Sequence, residues 1–333
     1  MSAVGTTTVT SADPPASADA PAARRYLPLA GAAVALATAI IVAGLTNEAF
    51  LTTANALAIL RSAALTGIVA LGATFITVAG RFFSLALGQT AVFGGVTFAL
   101  LMSHGAPFAL AVVATLIVTL ILGAVQGALV SMGANPIVTT LGAGALLAGL
   151  AGLATGGKNV RIESTSVEWW GNARPLGVPT QTWAFLILIV VAWFVMSKTR
   201  FGRQTVVTGA NRATALNSGI AVWKVTTVVF VVASVAAGIV GIFGAAQFSQ
   251  ARISEFGGLD FDVVAAILIG GTAIQGGQGS PTRTALGAVF IAMLQNYMLL
   301  LGWSFGIRTT IMGAFILVVV VSFHLVRGRA GAK

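Results

Sequence analysis

The stretch "KTRFGRQTVVTGANRATALNSGIAVWK", residues 198–224, holds five of the chain's 18 Lys and Arg residues and neither Asp nor Glu. It lies between two apolar runs, near residues 183–197 and 225–246. Lys and Arg collect on the cytoplasmic side of membrane proteins, in the short loops that join spans. A basic connector between apolar runs is therefore read first as such a loop, and the flanking runs as membrane helices.

The rest of the chain has the same character. Of 333 residues, 57% are hydrophobic and 8% charged, against roughly 25% charged in a soluble domain. So little polar surface leaves apolar side chains facing lipid or one another. Apolar blocks recur near residues 26–45, 62–79, 84–103, 108–130, 136–155, 183–197, 225–246, 262–275, 284–301 and 307–326. The expected fold is an all-α polytopic integral membrane protein of about ten transmembrane helices. Some spans are short or broken by Gly and Pro, which a bundle tolerates where neighbours satisfy the freed backbone groups.

Charge orients this count. Six crossings from a cytoplasmic start put residues 198–224 inside, and four more return Arg327, Arg329 and Lys333 there, so both termini are expected in the cytoplasm. Residues 1–23, rich in Ala, Ser, Thr and Pro, form an expected disordered cytoplasmic tail. Residues 24–326 make the membrane domain and residues 327–333 a second cytoplasmic tail. Arg24 and Arg25 precede a run long enough to span the bilayer, so it reads as a first helix rather than an export signal. The connector over residues 156–183 falls outside, with Trp169, Trp170 and Trp183 suited to the interface.

Several functions are set aside. The net charge of +10 is spread over connectors rather than gathered on one face, which argues against nucleic acid as a partner. There is no cysteine, and His104 and His324 are far apart, so no metal site is expected. "GLATGGKN", residues 152–159, has the glycine and lysine spacing of a phosphate-binding loop, but Asn159 replaces the required Ser or Thr and no strand precedes it. No catalytic constellation is present. An intramembrane enzyme or an ion-coupled carrier would need a convergent polar cluster within the spans, and none is visible in the sequence.

Two regions stand out. In residues 257–281, Asp260 and Asp262 precede a helix-length apolar run that ends in two paired-glycine breaks. Asp262 there either caps a helix amino end or touches solute. In residues 72–95, Arg81 interrupts apolar sequence. It is either an intramembrane charge on a path or a surface anchor flanked by Phe82 and Phe83. Gly238, Gly241 and Gly244, spaced by three, would let helices approach closely.

Three ordered stretches carry a resemblance: "NPIVTTLGAGALLAGLA" (135–151), "TRFGRQTVVTGANRATALNSGI" (199–220) and "DFDVVAAILIGGTAIQGGQGSP" (260–281). Together they resemble permease subunits of bacterial ATP-binding-cassette importers. The nearest branch is the ribose-type monosaccharide permeases, within a grouping that includes branched-chain amino-acid permeases. The matching residues are Pro136, Thr140, Leu141 and Gly142; then Gly209, Asn211, Ala215, Ser218, Gly219 and Ile220; then Asp262, Ala265, Ala266, Gly270, Gly271, Gly276 and Gly277.

The resemblance implies an inner-membrane transport subunit rather than an enzyme, with a monosaccharide as first expectation and nucleosides or branched-chain amino acids behind it. It implies a second permease subunit, two cytoplasmic ATPases that carry ATP and Mg, and an extracytoplasmic solute-binding protein; this chain itself holds no cofactor. It places ATPase coupling on Arg203, Gly209, Asn211, Arg212, Ala215, Ser218, Gly219 and Ile220. Path candidates are Arg81, Phe82, Phe83, Ser84, Asn135, Thr139, Thr140 and Asp262, and helix breaks or packing sites are Gly88, Gly142, Gly270, Gly271, Gly276 and Gly277. One position departs from the pattern. Ser84 stands where sugar members carry an aspartate, which removes a strong acceptor, and Arg81 adds positive charge nearby.

Overall fold

The computed structural model describes residues 43–330. The tail 1–23, Arg24, Arg25, the first apolar run up to residue 42 and residues 331–333 lie outside the described residues. The elements run α1 (Thr53–Val78), α2 (Leu87–Ser103), α3 (Phe108–Ser131), α4 (Pro136–Thr155), β1 (Val160–Arg161), α5 (Thr165–Asn172), α6 (Thr180–Lys198) and α7 (Arg200–Ala210). They continue with α8 (Arg212–Asn217), α9 (Val222–Gln247), β2 (Gln250–Ala251), α10 (Leu259–Ile269), α11 (Pro281–Leu300) and α12 (Phe305–Ala330). Helices α1, α3, α4, α6, α9 and α11 are long and apolar enough to cross a membrane, and α2 and the Phe305–Val318 part of α12 are shorter apolar helices.

Of the sequence boundaries that change, three bear on the site. The run expected from residue 62 begins at Thr53, which places Arg61 inside α1. The reason is local: the Thr52 hydroxyl accepts from the Asn55 amide at 3.3 Å, and the buried Asn55 side chain donates to the Phe50 carbonyl at 2.9 Å. The run expected from residue 84 starts at Leu87, after a non-helical segment. The block expected over 262–275 is an 11-residue helix, about 16 Å long and so only part of a span. It stops at Gly270, and Gly271, Gly276 and Gly277 all take positive φ in the turns that follow.

Helices α1 and α9 form the interior. Helix α9 packs on α1, α2 and α3, while α1 packs on α9 and α11. Small residues allow this. A Cβ on Gly72 of α1 would lie 2.8 Å from the Ala233 Cα of α9, and one on Gly127 of α3 would lie 2.7 Å from the Thr227 Cα. The triplet Gly238, Gly241, Gly244 serves three neighbours rather than one: they face Thr119, Ala91 with Gly95, and Phe256 respectively. Backbone proximity of this kind supplies the dispersion contacts that hold helices together when lipid offers no hydrophobic drive. Outward, Ile117 and Ile121 on α3 and Ile187, Val190 and Phe194 on α6 are exposed, as a lipid-facing surface requires.

The connectors gather at two ends. At one, β1 pairs antiparallel with β2, Val160 opposite Ala251. There half-buried Trp170 stacks on Phe243 with centroids 4.5 Å apart, while Trp169 is exposed. At the other end lie α7, α8 and the turns after α1 and α10.

Candidate functional site

Helices α7 and α8 form a short angled pair, each begun by a side-chain cap. Thr199 Oγ1 accepts from the Gly202 amide at 3.1 Å, and Asn211 Oδ1 accepts from the Thr214 amide at 3.1 Å. Asn211 lies between the helices, with extended backbone at φ −157°. Helix α8 closes on Gly219 at φ +72°, where the Ile220 amide donates back to the Ala215 carbonyl at 3.0 Å. This is the left-handed closure that glycine provides without strain. Arg203, Asn211, Arg212, Ser218 and Gly219 are exposed, Ile220 is half-buried, and Ala215 is fully buried and seats α8 on the bundle. Leu216 and Trp223 add exposed apolar surface to the same platform.

Gly209 is not on the outer face of this platform. A Cβ there would overlap the Val78 carbonyl and lie 2.7 Å from the Gly277 amide, and that amide donates to the Val78 carbonyl at 2.9 Å. Gly80 and Gly276 meet at the same place. Three segments thus touch backbone to backbone: the end of α1, the end of α7 and the turn following α10. A displacement of α7 has no flexible side chain to absorb it before it reaches the other two.

From Gly80 the chain runs through Arg81–Ala86 to α2. Arg81 Nε donates to Thr226 Oγ1 near the start of α9 at 3.2 Å, and its charge lies close enough to repel Arg212. Arg81 therefore belongs with the platform end of the bundle. Phe82, at φ +64°, is exposed, and its ring meets buried Phe83 edge-on at 5.4 Å. Ser84 is buried, and the Leu85 amide donates to Thr140 Oγ1 on α4 at 3.2 Å. Asn135 caps α4 through the Ile137 and Val138 amides, and Thr139 is half-buried.

Helix α2 has no side-chain cap of its own at Ala86. Asp260, in the first turn of α10, supplies one: its Oδ1 accepts from the Gly88 amide at 3.0 Å. A Cβ on Gly88 would come 2.9 Å from that carboxylate, which is the physical use of glycine there. Asp262 is not the cap of α10, since the cap position is Gly258; its Oδ1 instead accepts from Gln295 Nε2 at 2.9 Å. Among the glycines expected to break helices, Gly270 packs tightly on Thr284, whereas Gly142 lies within unbroken α4 with nothing near its Cβ position.

The sequence reading missed a cluster at the opposite end. Arg61 (α1), Glu255 (loop before α10), Asp262 (α10), Gln295 (α11) and Arg308 (α12) line one cavity of about 360 Å³. Burial pushes the Glu255 carboxyl up to about 7, against the opposing pull of Arg252. Arg61 and Arg308 are lone charges in apolar runs, the same signal that singled out Arg81, so the rule that intramembrane charges mark function would have found them.

Comparison with known proteins agrees with this architecture. Residues 55–321 match the family described as Branched-chain amino acid transport system / permease component. The chain is similar to the ribose import permease protein RbsC of Escherichia coli (strain K12), 30% identical over 293 residues covering 86% of this chain and 91% of the relative. It is 31% identical to the D-allose transport system permease protein AlsC of the same organism over 86% of this chain and 90% of that one. It is also 30% identical to the autoinducer 2 import system permease protein LsrD of Salmonella paratyphi B, over 77% and 79% respectively. No solved structure matches. With a family match over most of its length and a bundle whose lipid-facing helices enclose a broken-helix junction, the chain belongs to the branched-chain amino acid transport system permease component family.

Proposed function

We propose that the chain is the membrane-spanning permease subunit of an ATP-binding-cassette importer for a monosaccharide, in a bacterial inner membrane. In this reading it crosses the bilayer about ten times, with both termini and the α7–α8 platform in the cytoplasm. It pairs with a second permease, its own copy or a homologue, and works with two ATPases that bind ATP and Mg and with an external binding protein. The ribose and allose permeases among its relatives favour a monosaccharide over an amino acid or nucleoside.

The observation that carries the reading is the backbone junction of Gly209 with Val78 and Gly277. A motor docked on the exposed α7–α8 surface would act there on the end of α1 and the turn after α10 at once. Both lead to the Asp260–Gly88 contact, so one push would reach the two broken elements together. This is the arrangement a two-state rocking transition needs.

The test is reconstitution with the ATPase and binding-protein subunits of the importer, followed by ATP-dependent uptake of D-ribose, D-allose, adenosine and L-leucine. Aldose uptake supports the reading, and absence of ATP-dependent uptake of any of them sinks it. Gly209→Val should leave ATP hydrolysis running while uptake falls at least about tenfold, equivalent to biasing the transition by ~1.4 kcal/mol. Wild-type uptake by that variant would remove the junction from the coupling route.

A further inference from the structure

We infer that the cavity between α1, α10, α11 and α12 is a binding site for one neutral polyhydroxylated solute within the single subunit. The inference rests on the monosaccharide reading and goes beyond it by assigning the site and its residues. The cavity, about 360 Å³, lies in the volume range of small-molecule sites. Its walls come from residues far apart in the chain, from Arg61 to Met312.

The polar groups are what call for a ligand. Arg61 Nε and Arg308 Nε are both buried and make no hydrogen bond, and Gln247 Oε1 is a buried acceptor in the same condition. A buried donor or acceptor left unsatisfied costs about 1–3 kcal/mol, more for a charged group. None of these three atoms is itself accessible from the cavity, so what a ligand meets there is the remaining polar lining offered by Arg61, Glu255, Asp262, Gln295 and Arg308.

Charge narrows the class. Two guanidinium groups, Arg61 and Arg308, and two carboxyl groups, Glu255 and Asp262, line the same space. An anion gains the arginines and meets the carboxylates; a cation meets the reverse. A neutral solute with several hydroxyls gives acceptors to the arginines and donors to the carboxyl groups, because each hydroxyl does both.

Distribution narrows it further. Ser62, Thr66, Gln247, Gln295 and Thr309 place neutral polar groups around the lining. An apolar amino acid carries its polar atoms at one end and would turn a hydrocarbon side chain toward several of these, leaving them unpaired. A sugar carries hydroxyls around its ring. Phe256 and Phe261 line the same cavity and offer apolar faces for its C–H surface. Gln247 and Phe248 of the lining immediately precede β2, which puts the cavity toward the end that carries the β1–β2 ladder and away from the α7–α8 platform, so the site would receive solute before the junction at Gly209 moves.

The test measures equilibrium binding of radiolabelled D-ribose, D-allose and L-leucine to the full chain in lipid nanodiscs. Saturable aldose binding is expected, weakened about tenfold by each of Arg61→Lys, Arg308→Lys and Asp262→Asn, the loss of one charge-assisted hydrogen bond. Lys158→Ala, in the outer connector, should bind as wild type. Because the chain has no cysteine, Ser62→Cys gives a second readout that needs no disruptive substitution: D-ribose should slow its reaction with a maleimide. Tighter binding of L-leucine than of either aldose overturns the proposal, as does aldose binding that all three variants leave unchanged, or an Ser62→Cys rate indifferent to sugar. If the reconstituted importer takes up aldose while the three variants keep wild-type half-saturation, this site falls and the permease reading stands. If ATP-dependent uptake is absent altogether, the permease reading falls.

Discussion

At Gly88 the amino end of α2 finds its acceptor in Asp260, 172 residues further along the chain. The preceding residues offer Ala86 at the cap and Ser84, whose hydroxyl accepts only from the Ala86 amide at 3.5 Å. A carboxylate at a helix amino end is stabilised by the free amides and the helix dipole. Asp260→Ala should therefore lower stability by about 1–2 kcal/mol. Asp260→Asn, which keeps the acceptor and removes a buried charge, should retain most of the wild-type stability. Thermal unfolding in a mild detergent checks this, and two wild-type curves would show that the contact contributes nothing. Glu255 makes a different prediction. Its folded carboxyl titrates at about 7 instead of the ordinary 4.5, so the folded state holds this proton more tightly than the unfolded one. Its contribution to stability is full below 4.5 and is lost as pH rises through about 7. Glu255→Gln should flatten that part of the stability–pH curve; an unchanged slope would place the titration elsewhere.

At the scale of elements, glycine does three separate jobs that one-letter counting merges. Gly209 is small because a backbone lies against it, Gly219 because α8 must close at positive φ, and Gly142 for neither reason. Alanine should separate them. Gly219→Ala forces a Cβ into the left-handed region, costing about 1 kcal/mol and fraying α8; on the proposed coupling role this should weaken ATPase docking a few-fold while the bundle keeps its stability. Gly142→Ala should be neutral or slightly stabilising, by up to ~1 kcal/mol from helix propensity, provided uptake and melting are both measured. A large loss there would mean that the open face of α4 is covered in the assembled transporter. The six membrane-length helices are legible in outline from apolar run length, but the same signal makes α10 too long. Its end at Ile269 is set by Gly270 packing against Thr284 and by the positive-φ turns beyond it, and residue type does not tell a glycine that stops a helix from one that lies inside it, as Gly142 does.

Across the whole molecule, the chain alternates between two ends, with the ladder and α5 at one and the α7–α8 platform at the other. The proposed orientation in the bilayer rests on the charge of the connectors, and on it a cysteine at Ser218, exposed on the platform, should react with an impermeant maleimide only in inverted vesicles. Labelling in intact cells would reverse the proposed topology and disconnect the platform from any cytoplasmic motor. The sequence by itself established a lipid-embedded helical bundle, its basic connector and the residues that carry the family resemblance, because these depend on composition and on neighbours along the chain. It singled out Asn211 and Gly219, which cap and close α8. It could not place Arg61, Asp262 and Arg308 around one cavity, nor put Gly209 against Val78. Helices apolar on every side carry little periodicity to say which face turns inward, since lipid and bundle interior are equally apolar solvents. Only the packing of backbones at small residues, between segments that are distant in the chain, decides which lone charges meet.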